Sequence, residues 1–304
     1  MYTEFAIILI ISLAPVALLL WYFDRLDKKS KESRRFLWSI FLWGVLVTFA
    51  AGGIEVLLEY FFGGLFIDPW LKIFITAFVF IALVEEGLKF FIVKKKAYPH
   101  PAYNEYYDGV IYAVVASLGF AALENIFYVA EGGLGVGVIR AILSVPAHAL
   151  FGAVMGYFMA LAKFSANKNE EKKYLYKAVL IPFLLHGFYD FLLMSSTVYS
   201  MLVFPFLLGL YLYVKRKINR LHVLDKTAEP LKSLKIVDYI KILVGLGFFT
   251  FGALAIFVVI LFITGDADVK SSLKGVEFDT LTTSAFGFIM MFISLKIIKW
   301  SYKK

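Results

Sequence analysis

Apolar runs of roughly 18–25 residues alternate with short polar breaks along the whole chain, each long enough to cross about 30 Å of hydrocarbon as a helix. Nine such runs are predicted, at 5–23, 36–62, 70–93, 108–130, 138–162, 175–195, 197–215, 238–263 and 281–300. The breaks alternate in charge. DRLDKKSKESRR (24–35), KKK (94–96), AKFSANKNEEKK (162–173) and KRKINRLHVLDKTAEPLKSLK (215–235) are basic. GGLFIDP (63–69), EGGLGVG (131–137), SST (195–197) and GDADVKSSLKGVEFD (265–279) are poor in Lys and Arg or acidic on balance. Basic loops stay cytoplasmic, so the N-terminus is expected outside and the C-terminus inside. Phe5–Phe23 has its positive charges after it rather than before it, which suits a retained first helix better than a cleaved signal.

The pattern predicts an all-α, multi-pass transmembrane helical bundle, one polytopic domain over 1–304. Composition agrees: of 304 residues 61% are hydrophobic and 18% charged, with a mean hydropathy of +0.79. A soluble domain carries about 45–50% apolar and about 25% charged residues. The expected location is the cell membrane, with the lipid bilayer as the surrounding medium. A net charge of +8 would fit nucleic acid, but the charges lie between apolar runs, where they act as topogenic signals, so no nucleic-acid partner is expected. The absence of cysteine excludes disulfides, thiolate metal sites and a cysteine nucleophile. The 215–237 segment, charged and carrying Pro230, reads as a cytoplasmic linker.

Most polar residues near the runs have ordinary explanations. Lys72, Arg140, Lys241 and Lys296 lie near run ends, where long side chains snorkel to the interface, and Glu55 and Glu59 read as interfacial. His100 and His222 fall in polar loops and read as solvated. The remainder concentrates in runs three to six: Glu85, Glu86 and Lys89, then Glu124 and Asn125, then His148, then His186 and Asp190. An ionised side chain at mid-membrane costs roughly 2.5–3.5 kcal/mol on insertion scales. That cost is tolerable where the groups share a polar centre, so a bundle of runs three to six around one is expected. Lys89 can pair with Glu85 (i,i+4) or Glu86 (i,i+3), and Asp190 can orient His186 at i,i+4. Pro146 and Pro182 precede the two histidines, and a proline inside a helix kinks it. His148, Gly152 and Gly156 share one face, and Ala113, Ser117 and Ala121 form a second small-residue stripe, so close helix contact is expected at both.

Two carboxylates and two histidines without cysteine suit hydrolysis. A buried glutamate can act as general base on water, with a histidine donating to the oxyanion or protonating the leaving amine. Alternatively, His148, His186 and a glutamate could hold one divalent metal such as zinc. The substrate expected of such a site is a membrane-anchored protein. A proton- or cation-coupled transporter using the same Glu, His and Asp groups as a relay is the alternative.

EEGLK (85–89), GFAALEN (119–125), HALFGAVMGY (148–157) and HGFYDF (186–191), in this order, resemble the PrsW family of intramembrane proteases, related to the CAAX-prenyl proteases. The resemblance covers about 85–191 and implies an intramembrane endopeptidase with a catalytic core near 70–195 and accessory spans at 1–62 and 197–300. It implies that Glu85, Glu86, His148 and His186 are catalytic, with Lys89, Glu124, Asn125 and Asp190 supporting them. Glu85 is then the base, Glu86 its support, and His186 with Asp190 the oxyanion side. The prenyl-protein relatives carry a histidine in place of Glu124 and often an asparagine in place of Asp190.

Overall fold

The computed structural model describes residues 2–27, 31–195 and 199–226. The predicted runs at 238–263 and 281–300, and residues 227–237 of the predicted linker, lie outside them. Among the described residues the regular structure is helical, with no strand. Helices α1 (Tyr2–Leu26) and α2 (Arg34–Phe62) are followed by a short α3 (Pro69–Ile75). A π-helical segment (Thr76–Ala82) leads into α4 (Leu83–Ile92), and a second (Val93–Ala97) follows it. Then come α5 (Tyr106–Ile142), α6 (Ser144–Lys163), α7 (Lys168–Met194) and α8 (Val203–Leu224). Four stretches of this array are long and apolar enough to cross a membrane: Ala6–Leu26, Arg34–Leu65, Tyr106–Lys163 and Lys168–Met194.

The described residues fall into two compact units, 2–19 with 124–145, and 20–27 and 31–123 with 146–195 and 199–226. In the first, the Asn125 amide donates to the Ser12 carbonyl at 3.1 Å. Arg140 donates to Asn125 Oδ1 at 2.7 Å and pairs with Glu124 at 3.0 Å, its guanidinium lying over the Tyr128 ring. Arg140 was expected to snorkel. Its side chain is only 13% exposed because two polar partners and an aromatic face satisfy it inside the fold. The EGGLGVG stretch, expected as a loop, holds the break between the two helical segments of α5, where the chain turns back so that Arg140 reaches Glu124 and Tyr128. Its non-helical residue is Gly133, at φ +74°, a conformation that glycine adopts without Cβ strain.

The second unit carries the core. Val47, Ala51, Ile92 and Phe120 form one apolar cluster, with Trp43, Val84 and Leu88 against it. The two small-residue stripes meet here. A Cβ on Gly156 would overlap the Gly109 carbonyl, and one on Gly152 would come within 2.6 Å of the Ser117 hydroxyl. Small residues on both faces thus bring α5 and α6 into backbone contact. Helix starts follow their caps. Asp68 accepts from the Leu71 N–H at 2.7 Å with Pro69 at the first position of α3, and Asn167 accepts from the N–H groups of Asn169 and Glu170 at the start of α7.

Three expectations need correction. Pro146 does not kink a helix: α6 begins at Ser144, and a proline in the first turn removes an N–H that has no intrahelical partner anyway. Residues 215–224 are not linker but the second half of α8, with Lys215, Ile218, Leu221 and His222 buried. The reason lies at its end, where the Asp225 carboxylate accepts from the Tyr106 and Tyr107 N–H groups at 2.7 and 3.0 Å, capping α5 from α8. His222 is accordingly not solvated. It is 1% exposed and stacked on Tyr107 at 5.0 Å between ring centroids. His100 is half-buried and stacked on Phe36.

Candidate active site

The α4 helix places Glu85, Glu86 and Lys89 within about one turn, all buried. The π-helical segments on both sides of it are a backbone form that often marks functional sites. The Leu83 N–H bonds back to the Phe78 carbonyl, five residues earlier, and the Tyr98 N–H to Val93 in the same way. α7 brings His186 to this turn. Gly187 lets it approach, since a Cβ there would overlap the Phe78 ring. Pro182 lies one turn before His186, leaving the Ala178 carbonyl without its helical partner.

The Lys89 ammonium has three hydrogens and three acceptors: Glu86 Oε1 at 2.8 Å, Glu85 Oε2 at 2.9 Å and His148 Nδ1 at 3.1 Å. It also lies 4.2 Å from the centre of the Phe120 ring. An ammonium cannot accept a hydrogen bond, so His148 Nδ1 is the acceptor and a neutral His148 carries its proton on Nε2. Thus α4 and α6 are joined through one buried cation.

His186 closes the cluster from the other side. Its Nδ1 is 3.0 Å from Glu86 Oε1 and 3.9 Å from Glu85 Oε2. Its Nε2 is 3.2 Å from Asp190 Oδ2, the i,i+4 pair expected from the sequence. A carboxylate oxygen faces each ring nitrogen, so the ring plane is fixed from both ends. Phe151, a turn beyond His148, stacks on His186 at 4.9 Å and 23° between planes. Neither Phe151 nor Phe120 was singled out from the sequence, where both read as ordinary apolar residues.

Six of the eight expected residues therefore come together: Glu85, Glu86, Lys89, His148, His186 and Asp190. Glu124 and Asn125 take Arg140 as their partner in the other unit, as described above. Two buried oxygens of this cluster are without a hydrogen-bond partner among the described residues, Glu86 Oε2 and Asp190 Oδ2, the second held only by its ion-pair distance to His186. A buried carboxylate oxygen left in this way is a place for a water.

The donor types also suit a divalent cation. One ligand atom each from Glu85, His148 and His186 lies within 4.8 Å of the other two, all three residues being buried. Two imidazoles and a carboxylate are a donor set of catalytic zinc sites. The Lys89 ammonium contacts two of the three, and holding an ion would require it to withdraw.

Helices long and apolar enough to cross a membrane, with a cluster of carboxylates and histidines buried between them, suit one class, the intramembrane hydrolases. Residues 32–214 match the family described as PrsW family intramembrane metalloprotease. Protease PrsW of Geobacillus kaustophilus is 36% identical over 222 residues, 72% of this chain and 95% of that protein. Protease PrsW of Bacillus subtilis is 38% identical over 211 residues, 68% and 92% respectively, and that of Clostridioides difficile 33% over 234 residues, 76% and 94%. No solved structure matches. The chain belongs to the PrsW family, and it is a PrsW-like protease of the membrane. Nothing in these likenesses supports the transporter alternative.

Proposed function

We propose that this protein hydrolyses peptide bonds of membrane-anchored proteins with a water activated by Glu85. The observation that most supports the reading is the single buried cluster of Glu85, Glu86, Lys89, His148 and His186, drawn from three helices. Glu85 takes a proton from the water as its oxygen attacks the scissile carbonyl carbon, and returns that proton to the leaving amine. Glu86 Oε2 holds the water's other hydrogen. Lys89 fixes both carboxylates so that neither swings away. His148, with its proton on Nε2, donates towards the oxyanion, and His186, held between Glu86 and Asp190, orients the Glu86 carboxylate.

The family's description implies a metal. Glu85, His148 and His186 are the residues that would hold it, and a divalent ion such as zinc would supply Lewis acidity to the attacking water. A chelator that silences the protein, with zinc restoring it, would assign those three donors to an ion. Indifference to the chelator would leave Glu85 acting unaided.

The same reading has the chain crossing the cell membrane nine times, N-terminus outside and C-terminus in the cytoplasm. Its catalytic core is 70–195, with accessory spans at 1–62 and 197–300. The test is cleavage of a labelled single-span protein by the purified chain. Glu85→Gln is expected to lower the rate by about 10²–10⁴-fold with the unfolding midpoint intact. Undiminished cleavage by this variant would remove Glu85 from the role.

A further inference from the structure

Helices α7 and α8 meet at Phe188 and Phe206, whose rings touch edge to face with 5.3 Å between centroids. Lys177 is 188 − 177 = 11 residues before Phe188, and Lys217 is 217 − 206 = 11 residues after Phe206. Eleven residues make about three turns, so each lysine lies on the face of its phenylalanine, about 16 Å along the axis. Because α8 returns along α7, the two lysines arrive at one level, near enough for Lys177 to act on the Lys217 charge. Arg220, a turn beyond Lys217, joins them beside the Tyr157 hydroxyl. The Lys217 ammonium lies 4.8 Å and 5.1 Å from the ring centres of Tyr213 and Tyr157. Burial, with the Arg220 and Lys177 charges beside it, holds that ammonium below its usual pKa. Among the described residues no carboxylate pairs with any of the three cations. On α7, Glu171 is engaged with Tyr98, Lys94 and Lys168, and Glu170 lies about 10 Å along the axis from Lys177.

We infer that Lys177, Lys217 and Arg220 bind the headgroup phosphate of an anionic phospholipid, in the leaflet on the side of the basic loops. A topogenic signal needs basic residues only in the loop, not drawn together from two helices against their mutual repulsion. An anion relieves that repulsion, and basic pockets between membrane helices suit anionic headgroups. Two observations favour a lipid over a soluble phosphate. The predicted apolar run of α7 begins at residue 175 and that of α8 ends at 215, so the three cations lie at the edge of the hydrocarbon, where headgroups sit. Towards the membrane interior, Leu184 and Phe188 continue the Lys177 face and are 45% and 42% exposed, leaving an apolar strip for an acyl chain. The two Lys217 rings, Tyr157 and Tyr213, add the amphipathic aromatic groups that favour this depth.

The test titrates dioleoylphosphatidylglycerol into the full chain in dodecyl maltoside micelles containing phosphatidylcholine. It reads the unfolding midpoint, which a lipid bound to the folded form raises. Lys177→Gln with Lys217→Gln should increase the phosphatidylglycerol needed for half the effect by roughly tenfold to thirtyfold, at about fivefold for each charge removed. Arginine at both positions should retain the binding. Lys172→Gln with Lys173→Gln takes the same charge from the exposed start of α7 and should leave the titration unchanged. An equal loss in both glutamine pairs would mean a diffuse field rather than a site, and would overturn the proposal, as would a midpoint indifferent to phosphatidylglycerol. Equal protection by glycerol phosphate in solution would make the ligand a free phosphate and overturn the lipid. An independent measurement needs no unfolding: a photoreactive residue at Leu184 should capture phosphatidylglycerol. Capture of residues 238–300 or of a second copy instead, undiminished by excess lipid, would show the face already covered and would also overturn the proposal.

Discussion

At the scale of single residues, Lys89 is the member of the site on which the others depend. Its three hydrogens go to two carboxylates and an imidazole, all buried. Lys89→Met keeps the bulk of the side chain but strands two anions, and should destabilise the protein by roughly 3–5 kcal/mol, read as a lowered unfolding midpoint. A loss confined to turnover, with no change in unfolding, would show that the carboxylates find another partner. Glu32, between α1 and α2, gives a pH dependence unconnected with turnover. Burial pushes its carboxyl above the usual range, only partly offset by the hydrogen bond it accepts from the Tyr112 hydroxyl. A carboxyl that binds its proton more tightly when folded contributes fully at low pH and loses that contribution as pH rises through the raised value. Glu32→Gln mimics the protonated form, so the difference in unfolding midpoint between variant and parent should grow in the variant's favour from about pH 4 to about pH 8. The ionisable residues of the site were visible in the sequence because charge in an apolar run is costly. Phe120 and Phe151 were not, since an aromatic residue in a membrane helix has nothing to distinguish it until its neighbours are known.

At the scale of helices, contacts between backbones govern the site's geometry. Gly156 has no room for a methyl group against Gly109, so Gly156→Ala must part α5 from α6 or shift one along the other. The expected cost is about 1–3 kcal/mol, with loss of peptidase activity because His148 rides on the same helix. Unchanged thermal unfolding would show that the contact can relax. Asp225 directly follows α8, whose last turns carry no apolar run to announce them. Asp225→Ala removes the acceptor of two N–H groups at the start of α5 and should cost roughly 0.5–2 kcal/mol in unfolding with kcat unaltered. Helix α8 was legible up to residue 215, where its apolar run ends. Its continuation to Leu224 depends on a tertiary cap that no local pattern announces. The stripes of small residues were legible, Gly109 excepted, because their spacing is a property of the helix itself. Pro146 was misread because the proline signal depends on where the helix starts, and helix ends are the least certain part of any pattern.

At the scale of the whole chain, the proposed topology rests on alternating loop charge, and the complete absence of cysteine makes it simple to check. Single cysteines at Thr3 and at Lys168 should differ, the first reacting with an impermeant maleimide on intact cells and the second only after lysis. The opposite result would invert the proposed orientation. The charged trio of α4 also bears on biosynthesis. Its two anions and one cation are i,i+3 and i,i+4 neighbours on one helix, so they can neutralise one another before any other helix arrives. The translocon would then release into lipid a segment closer to a single charge than to three, and its histidine partners could join afterwards without having chaperoned it.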